Sequence, residues 1–173
     1  MQGTIKVHTL LTARLYEPKD KSLGADFLRE HPVTSHPELY REIKKGKRIV
    51  RDKVVTTAYC TFLALMHQTE TSVIGDFKYH DSGIGTGDEA IGDIGLGNPW
   101  GGARDIGTQI ASGVTYTSVA TTTYNATKAI TEHGLFSASS GATLMDRSKF
   151  AAINVVDTNQ IQWTYVITFT AGG

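Results

Sequence analysis

The sequence predicts a mainly β protein: a β-sandwich, jelly-roll or immunoglobulin-like, with an extended N-terminal arm and one or two short helices. Three observations carry this expectation. Beyond Asp76 helix signals fade and β-branched residues dominate, Gly/Ser/Asn/Asp turns cut that region into short segments, and the last segment alternates with period two. In that segment, "IQWTYVITFTA", Ile161, Trp163, Tyr165, Ile167 and Phe169 share one face of a strand. Burying each contributes about 1.5 to 3 kcal/mol.

Taken in order, the chain first alternates from Thr4 to Tyr16, with Ile5, Val7, Thr9, Leu11, Ala13 and Leu15 on one face, which reads as a strand. The charged stretch "EPKDKSLGADFLREHPVTSHPELYREIKKGKRIVRDK" holds three of the four prolines. Its apolar residues are too sparse for a core, and fully extended it would reach about 100 Å, far enough to cross a neighbouring subunit. Within it "HPELYREIKKG" predicts a short helix, with Pro37 at a first helical position and Gly46 at its end. "VVTTAYCTFLALMHQ" predicts a core helix, capped by Thr56 or Thr57, with Ala58, Phe62, Leu65 and Met66 on one stripe and Tyr59 and Leu63 beside it. The strand segments "VTYTSVATTTY", "KAITEHGLFSA" and "KFAAINVVD" follow. Two units result: residues 1–53, a strand and basic arm for contact with another subunit, and residues 54–173, a sandwich body with a leading helix.

Composition narrows the partners. The 173 residues carry no net charge, so no global basic field announces nucleic acid. The balance is uneven, however: residues 1–53 hold 12 Lys/Arg against 7 Asp/Glu, and residues 54–173 hold 5 against 10. A basic leader on an acidic globule points to self-association or docking on an acidic surface. "VVTTAYCTFLALM" is too short to span a bilayer and no signal-peptide core stands at the N-terminus, so a soluble protein made in a cytoplasm, with no membrane partner, is expected. Cys60, the single cysteine, excludes an intrachain disulfide and reads as a buried small hydrophobe.

"HDSGIGTGDEAIGDIGLGNPWGG", residues 80–102, invites three chemical readings. A phosphate cradle needs glycines, a helix start and a cation, but Asp88 and Glu89 follow the glycines and no lysine lies between His80 and Gly102. Asp81, Asp88, Glu89 and Asp93 offer hard oxygen ligands for calcium, yet their spacing fits neither an EF-hand nor a glycine-aspartate repeat. The stretch is therefore expected to be a mobile, turn-rich connection without cofactor or metal.

Catalytic signatures are equally thin. His80, Asp81 and Ser82 are adjacent, whereas a triad is assembled from distant positions, and no nucleophile elbow is present. "EHG" at Glu132 lacks a second histidine, and His8, His31, His36, His67, His80 and His133 show no ligand-like clustering. No catalytic residue is expected. Gly134 inside an apolar strand anticipates a bulge or close backbone approach, and "SASSGAT" a tight turn. Asp146 and Arg147 are expected to pair, within the chain or across a subunit boundary. Trp163 belongs to a sheet face, and Trp100 in "NPWGG" sits on a loop, where a tryptophan can stack on a sugar, anchor a subunit contact or fold back over its own sheet edge.

"DFKYHDSGIGTGDEAIGD", "ITEHGLFSASSGATLMDRS" and "FAAINVVDTNQIQWTYVITFTAGG" resemble segments of a family of small structural proteins encoded by tailed bacteriophages near their capsid genes. The resemblance covers residues 76–173 and the leader only loosely. It implies a virion component, a cement or decoration protein on the capsid exterior, and carries over no catalytic residue. The major capsid protein is the expected partner, with a homo-oligomer, a trimer by preference. The leader would attach through Lys44, Lys45, Lys47, Arg48 and Arg51. The alternatives are a tail or fibre-associated module that recognises a host-surface carbohydrate, with Trp100 as its contact, and, more remotely, a hydrolase using His80 or His133.

Overall fold

The computed structural model describes residues 6–43, 49–52, 54–68 and 77–170. Two antiparallel sheets pack face to face as a β-sandwich. The larger runs in the order β2 (Tyr40–Glu42), β1 (Lys6–Pro18), β11 (Gln160–Thr170), β8 (Thr115–Thr123), β7 (Thr108–Ser112), and β3 (Ile49–Asp52) also pairs with β1. The smaller runs β4 (Val54–Val55), β10 (Leu144–Val155), β9 (Lys128–Phe136), β5 (Tyr79–Gly83), β6 (Asp105–Ile106). Strands β8 and β11 pair in the larger sheet and β9 and β10 in the smaller. The segment 115–170 is thus one long antiparallel ribbon doubled over, half in each layer.

The alternation read from the last strand is realised. Ile161, Trp163, Tyr165 and Ile167 are buried and Phe169 packs against the same core. Leu11 and Ala13 of β1, Ile130 of β9 and Val155 of β10 close round Ile161 and Trp163 from both layers. Gly134 shows why that strand carries a glycine: a Cβ there would stand 3.0 Å from Leu144, Leu96 and Phe136 side chains. The "SASSGAT" turn closes with Ser137 N donating to Thr143 O at 3.1 Å, and Gly141 at φ +55° takes the left-handed position.

Helix α2 (Thr57–Gln68) begins where expected. Thr56 is the cap: its Oγ1 accepts from Tyr59 N (3.2 Å) and donates to Leu144 O (2.6 Å), tying the helix start to β10. Tyr59 is buried, and Phe62 and Leu63 pack beside it. Cys60, one position round the helix from Tyr59, is exposed, which corrects its reading as a buried hydrophobe.

Two expectations for the leader are revised. Strand β1 lies inside the larger sheet, matched residue for residue with β11 from Lys6↔Thr170 to Tyr16↔Gln160. The stretch after it, expected to be too poor in apolar residues for a core, builds a small one: Leu28 of α1 (Ala25–Glu30), Val33 and Tyr40 are buried, with Tyr16, Leu23 and Leu39 against them. Turns bring together residues that are far apart along the sequence. "HPELYREIKKG" begins as a single 3-10 turn at Pro37–Leu39 and then becomes strand, because burial of Tyr40 and its pairing with Pro18 override local helix propensity.

Gln160 fastens this lobe to the sandwich. Its Oε1 accepts from Val33 N (3.0 Å), and its Nε2 donates to Leu28 O (3.1 Å), Tyr40 Oη (2.8 Å) and Thr123 Oγ1 (2.9 Å). Residue 53 lies outside the described residues, as do Lys44, Lys45, Lys47 and Arg48.

Candidate functional site

The glycine-rich loop folds over the outer face of the smaller sheet, and Glu132 organises it. On β9, His133 faces inward and contacts Trp163, so its neighbour Glu132 faces outward. Its Oε1 accepts from Asn98 N (2.8 Å) and Gly85 N (3.0 Å), and its Oε2 from Gly97 N (3.0 Å) and Arg147 Nε (2.7 Å). Burial alone would raise the Glu132 pKa, but the amides of Asn98 and Gly97 and the Arg147 guanidinium outweigh it and hold the carboxyl below its usual range. Arg147 reaches on, donating to Gly87 O (3.0 Å), Asp88 O (3.2 Å) and Asp93 Oδ2 (3.0 Å), while Lys149 pairs with Asp88 (2.7 Å).

The loop is therefore an anion cradle whose anion belongs to the chain. The glycines are what the cradle requires: a Cβ on Gly83 or Gly85 would collide with Glu132 Oε1, and one on Gly97 would stand 2.8 Å from Arg147 Nη2. The expected mobile connection is thus a fastened one. Three of the four acids considered for calcium are committed elsewhere, Asp88 to Lys149, Asp93 to Arg147, and Asp81 to Arg104 at 3.5 Å. Among the described residues no group of three or more His, Cys, Asp or Glu is placed to hold a metal ion. Within the chain Asp146 and Arg147 do not pair with each other; as strand neighbours they point apart, and Arg147 turns to Glu132 and Asp93.

Between the sheets lies a polar chain. His80 Nε2 is 2.8 Å from Ser118 Oγ and His80 Nδ1 is 3.0 Å from His133 Nε2. The order hydroxyl, imidazole, imidazole is that of a nucleophile, a base and its orienting partner. All three residues are fully buried, however, and Gly107 lies against the pair, so a Cβ there would be 2.5 Å from Ser118 Oγ. In this conformation no substrate reaches that hydroxyl, and the chain acts as a polar rivet through the core. Sequence spacing gave no sign of it, because Ser118 and His133 are brought to His80 by three different strands.

A second polar thread leads to the surface. Trp163 Nε1 donates to Thr122 Oγ1 (3.0 Å), which donates to Asp105 Oδ2 (2.5 Å). Burial pushes the Asp105 carboxyl up to about 6, against the opposing effect of the Thr122 hydrogen bond. Asp105 lines a cleft of about 510 Å³ between the leader lobe and the sandwich, walled by Arg29 and Pro32 on one side and by Trp100, Thr121 and Thr123 on the other.

Trp100 is half-buried in this wall. Its ring packs on Tyr124 at 4.9 Å between centroids, its amide donates to Ser82 O (3.1 Å), and Gly102 is needed beneath it because a Cβ there would overlap the indole. Of the residues assigned to partner contact, Arg51 lies on β3, whose strand pairs with β1, and Lys44, Lys45, Lys47 and Arg48 are outside the described residues. The structure thus brings Trp100 together with Arg29 and Asp105, which sequence reading had not linked. Among the described residues no helix is long and apolar enough to cross a membrane. Comparison with protein-family models, curated proteins and solved structures finds no match for this chain.

Proposed function

We propose that the chain is a bacteriophage virion protein, a capsid cement protein that binds the outer surface of the major capsid shell, without catalytic activity of its own. The resemblance of residues 76–173 to phage structural proteins supplies the class. The observation that carries attachment is the β7 edge of the larger sheet, which no other described strand covers. Strand β7 is exposed at every residue, and Ile106, Ile110 and Val114 in and beside it are 63–68% exposed. Residues 106–123 contain no charged side chain. Natural sheets guard such edges with lysine, proline or a covering segment; an unguarded apolar edge favours burial against another protein. Repeated over many copies, weak edge contacts become a multivalent hold on the shell. The leader charges Lys44, Lys45, Lys47, Arg48 and Arg51 add a salt-dependent attraction to an acidic surface.

Mixing the purified protein with bare expanded capsids and sedimenting them tests this reading. Co-sedimentation that weakens in Ile110→Lys, and weakens with salt, supports it; failure to co-sediment at any salt concentration rejects it. Deleting residues 1–53 is unsuited to the purpose, since it removes a sheet-forming strand with the arm. Substituting the five leader cations by glutamine leaves β1 in place. Sedimentation equilibrium of the free protein tests the trimer.

A further inference from the structure

The geometry points to a second binding site, independent of shell attachment: the cleft between the leader lobe and the sandwich takes a neutral saccharide. Its walls combine an aromatic ring with polar groups whose hydrogen-bonding capacity is only partly used. Trp100 supplies the ring, held by Tyr124 and Gly102. Asp105 accepts from Thr122 through Oδ2 alone; among the described residues its Oδ1 takes no hydrogen bond. Thr121 Oγ1 is buried without a hydrogen-bond partner. Arg29 crosses from the leader lobe, with the exposed Asp26 at 3.7 Å and its charge also felt by the Asp105 carboxyl, and Asn125 stands exposed at the rim.

These groups select a ligand chemistry. Asp105 needs a donor, and Arg29 and Asn125 can each give one. A sugar hydroxyl answers all of these, because it donates and accepts at the same oxygen. The C–H face of a pyranose ring is apolar enough to lie on an indole. An anion would meet the Asp105 carboxylate, a cation would meet Arg29, and an apolar ligand would bury Asp105 without supplying a partner. The cleft, at about 510 Å³, is of the size that small-molecule sites have, about 300 to 1,000 Å³. One wall comes from the leader lobe, so the site exists only while Gln160 holds that lobe down.

The test uses the full chain and a panel of glucose, galactose, mannose, N-acetylglucosamine and their disaccharides, with sialic acid as the anionic control. Two tryptophans give two indole N–H resonances, and Trp163 is buried. A saturable shift of the Trp100 resonance with at least one neutral sugar, and none with sialic acid, is the expected result. Arg29→Ala and Asn125→Ala, at exposed positions, should each weaken binding about tenfold, the loss of one hydrogen bond or slightly more. Trp100→Phe should weaken it further while keeping the packing on Tyr124. No shift with any neutral sugar overturns the inference, as does a shift that survives all three substitutions, or preferential binding of sialic acid. Failure of the capsid experiment leaves it untouched, since neither readout depends on the other.

Discussion

Glu132 and Arg147, on neighbouring strands of the smaller sheet, form a buried ion pair with Nε to Oε2 at 2.7 Å and side-chain exposures of 0% and 6%. Both charges are fully occupied, the carboxylate by three loop amides and the guanidinium by two loop carbonyls and Asp93. The pair therefore does for the loop what a bound phosphate does for a glycine-rich nucleotide loop: it gives convergent backbone donors a single anion.

Replacing one member strands the other. Glu132→Gln puts an amide where Oε1 or Oε2 accepts, and leaves Arg147 buried against Asp93 alone. The expected cost is about 3 to 5 kcal/mol, a fall in Tm of about 10 °C for a domain of this size. Calorimetry checks the magnitude, and hydrogen exchange checks the place. Faster exchange at Gly85, Gly97 and Asn98, before that of β11, is the result expected of a released loop. Unchanged protection there would contradict the role given to Glu132.

Gln160 offers a separable test of the leader lobe. Gln160→Leu keeps the volume but leaves Val33 N without its acceptor and removes the Gln160 donor from Tyr40 Oη and Thr123 Oγ1, while Leu28 O keeps the Tyr40 hydroxyl as a donor. Unmet groups of this kind cost about 1 to 3 kcal/mol each, part of which the lobe can recover by moving into water. The expected outcome is a total loss of about 2 to 4 kcal/mol, with residues 25–40 exchanging faster while the sandwich keeps its protection. Uniform destabilisation would mean that lobe and sandwich unfold as one.

Thr158 carries strain that can be relieved. It sits in the turn between β10 and β11 at φ +67°, unusual for a β-branched residue. Its amide donates to Tyr124 O at 2.8 Å, so the conformation is fixed by the fold. Thr158→Gly or Thr158→Asn should stabilise the protein by about 1 kcal/mol, raising Tm by about 2 to 4 °C. A lower Tm in both variants would show that the Thr158 side chain contributes more than its backbone costs.

How far the sequence reaches can be judged from these same residues. The last strand was legible because Ile161, Trp163, Tyr165 and Ile167 announce their face by period alone, and the cap at Thr56 because capping is local. Glu132 was hidden: one acid in "KAITEHGLF" resembles a solvent-facing residue unless its partner is known, and Arg147 stands on the next strand. The glycines were read as a mobile connection, because the phosphate cradle they suggest was set aside for want of a cation and an anion from within the chain was not considered. Tyr40 defeated local reasoning, since "HPELYREIKKG" carries helix signals that yield to a tertiary contact with Gln160 and Pro18.

Acid titration should separate two carboxylates of opposite sign. Asp105 has its folded pKa raised to about 6, mainly by burial, against about 3.9 unfolded. Its ionisation therefore opposes folding, and this penalty is relieved as pH falls from about 7 to 4, contributing about 1 to 3 kcal/mol of added stability over that window. Glu132 is held below its usual range by the loop amides and Arg147, so its contribution is present above the unfolded value and is lost only as pH falls through the lower folded one. Stability measured by urea titration at a series of pH values should thus rise from pH 7 toward 5 and collapse below 4. Asp105→Asn keeps an acceptor for Thr122 and should remove most of the rise, the remainder belonging to Asp81, whose carboxyl is also pushed up by burial, with a gain at pH 8 of about the same 1 to 3 kcal/mol. If the variant keeps the rise, another group is responsible, and Asp105 is better solvated through the cleft than its hydrogen bond to Thr122 implies.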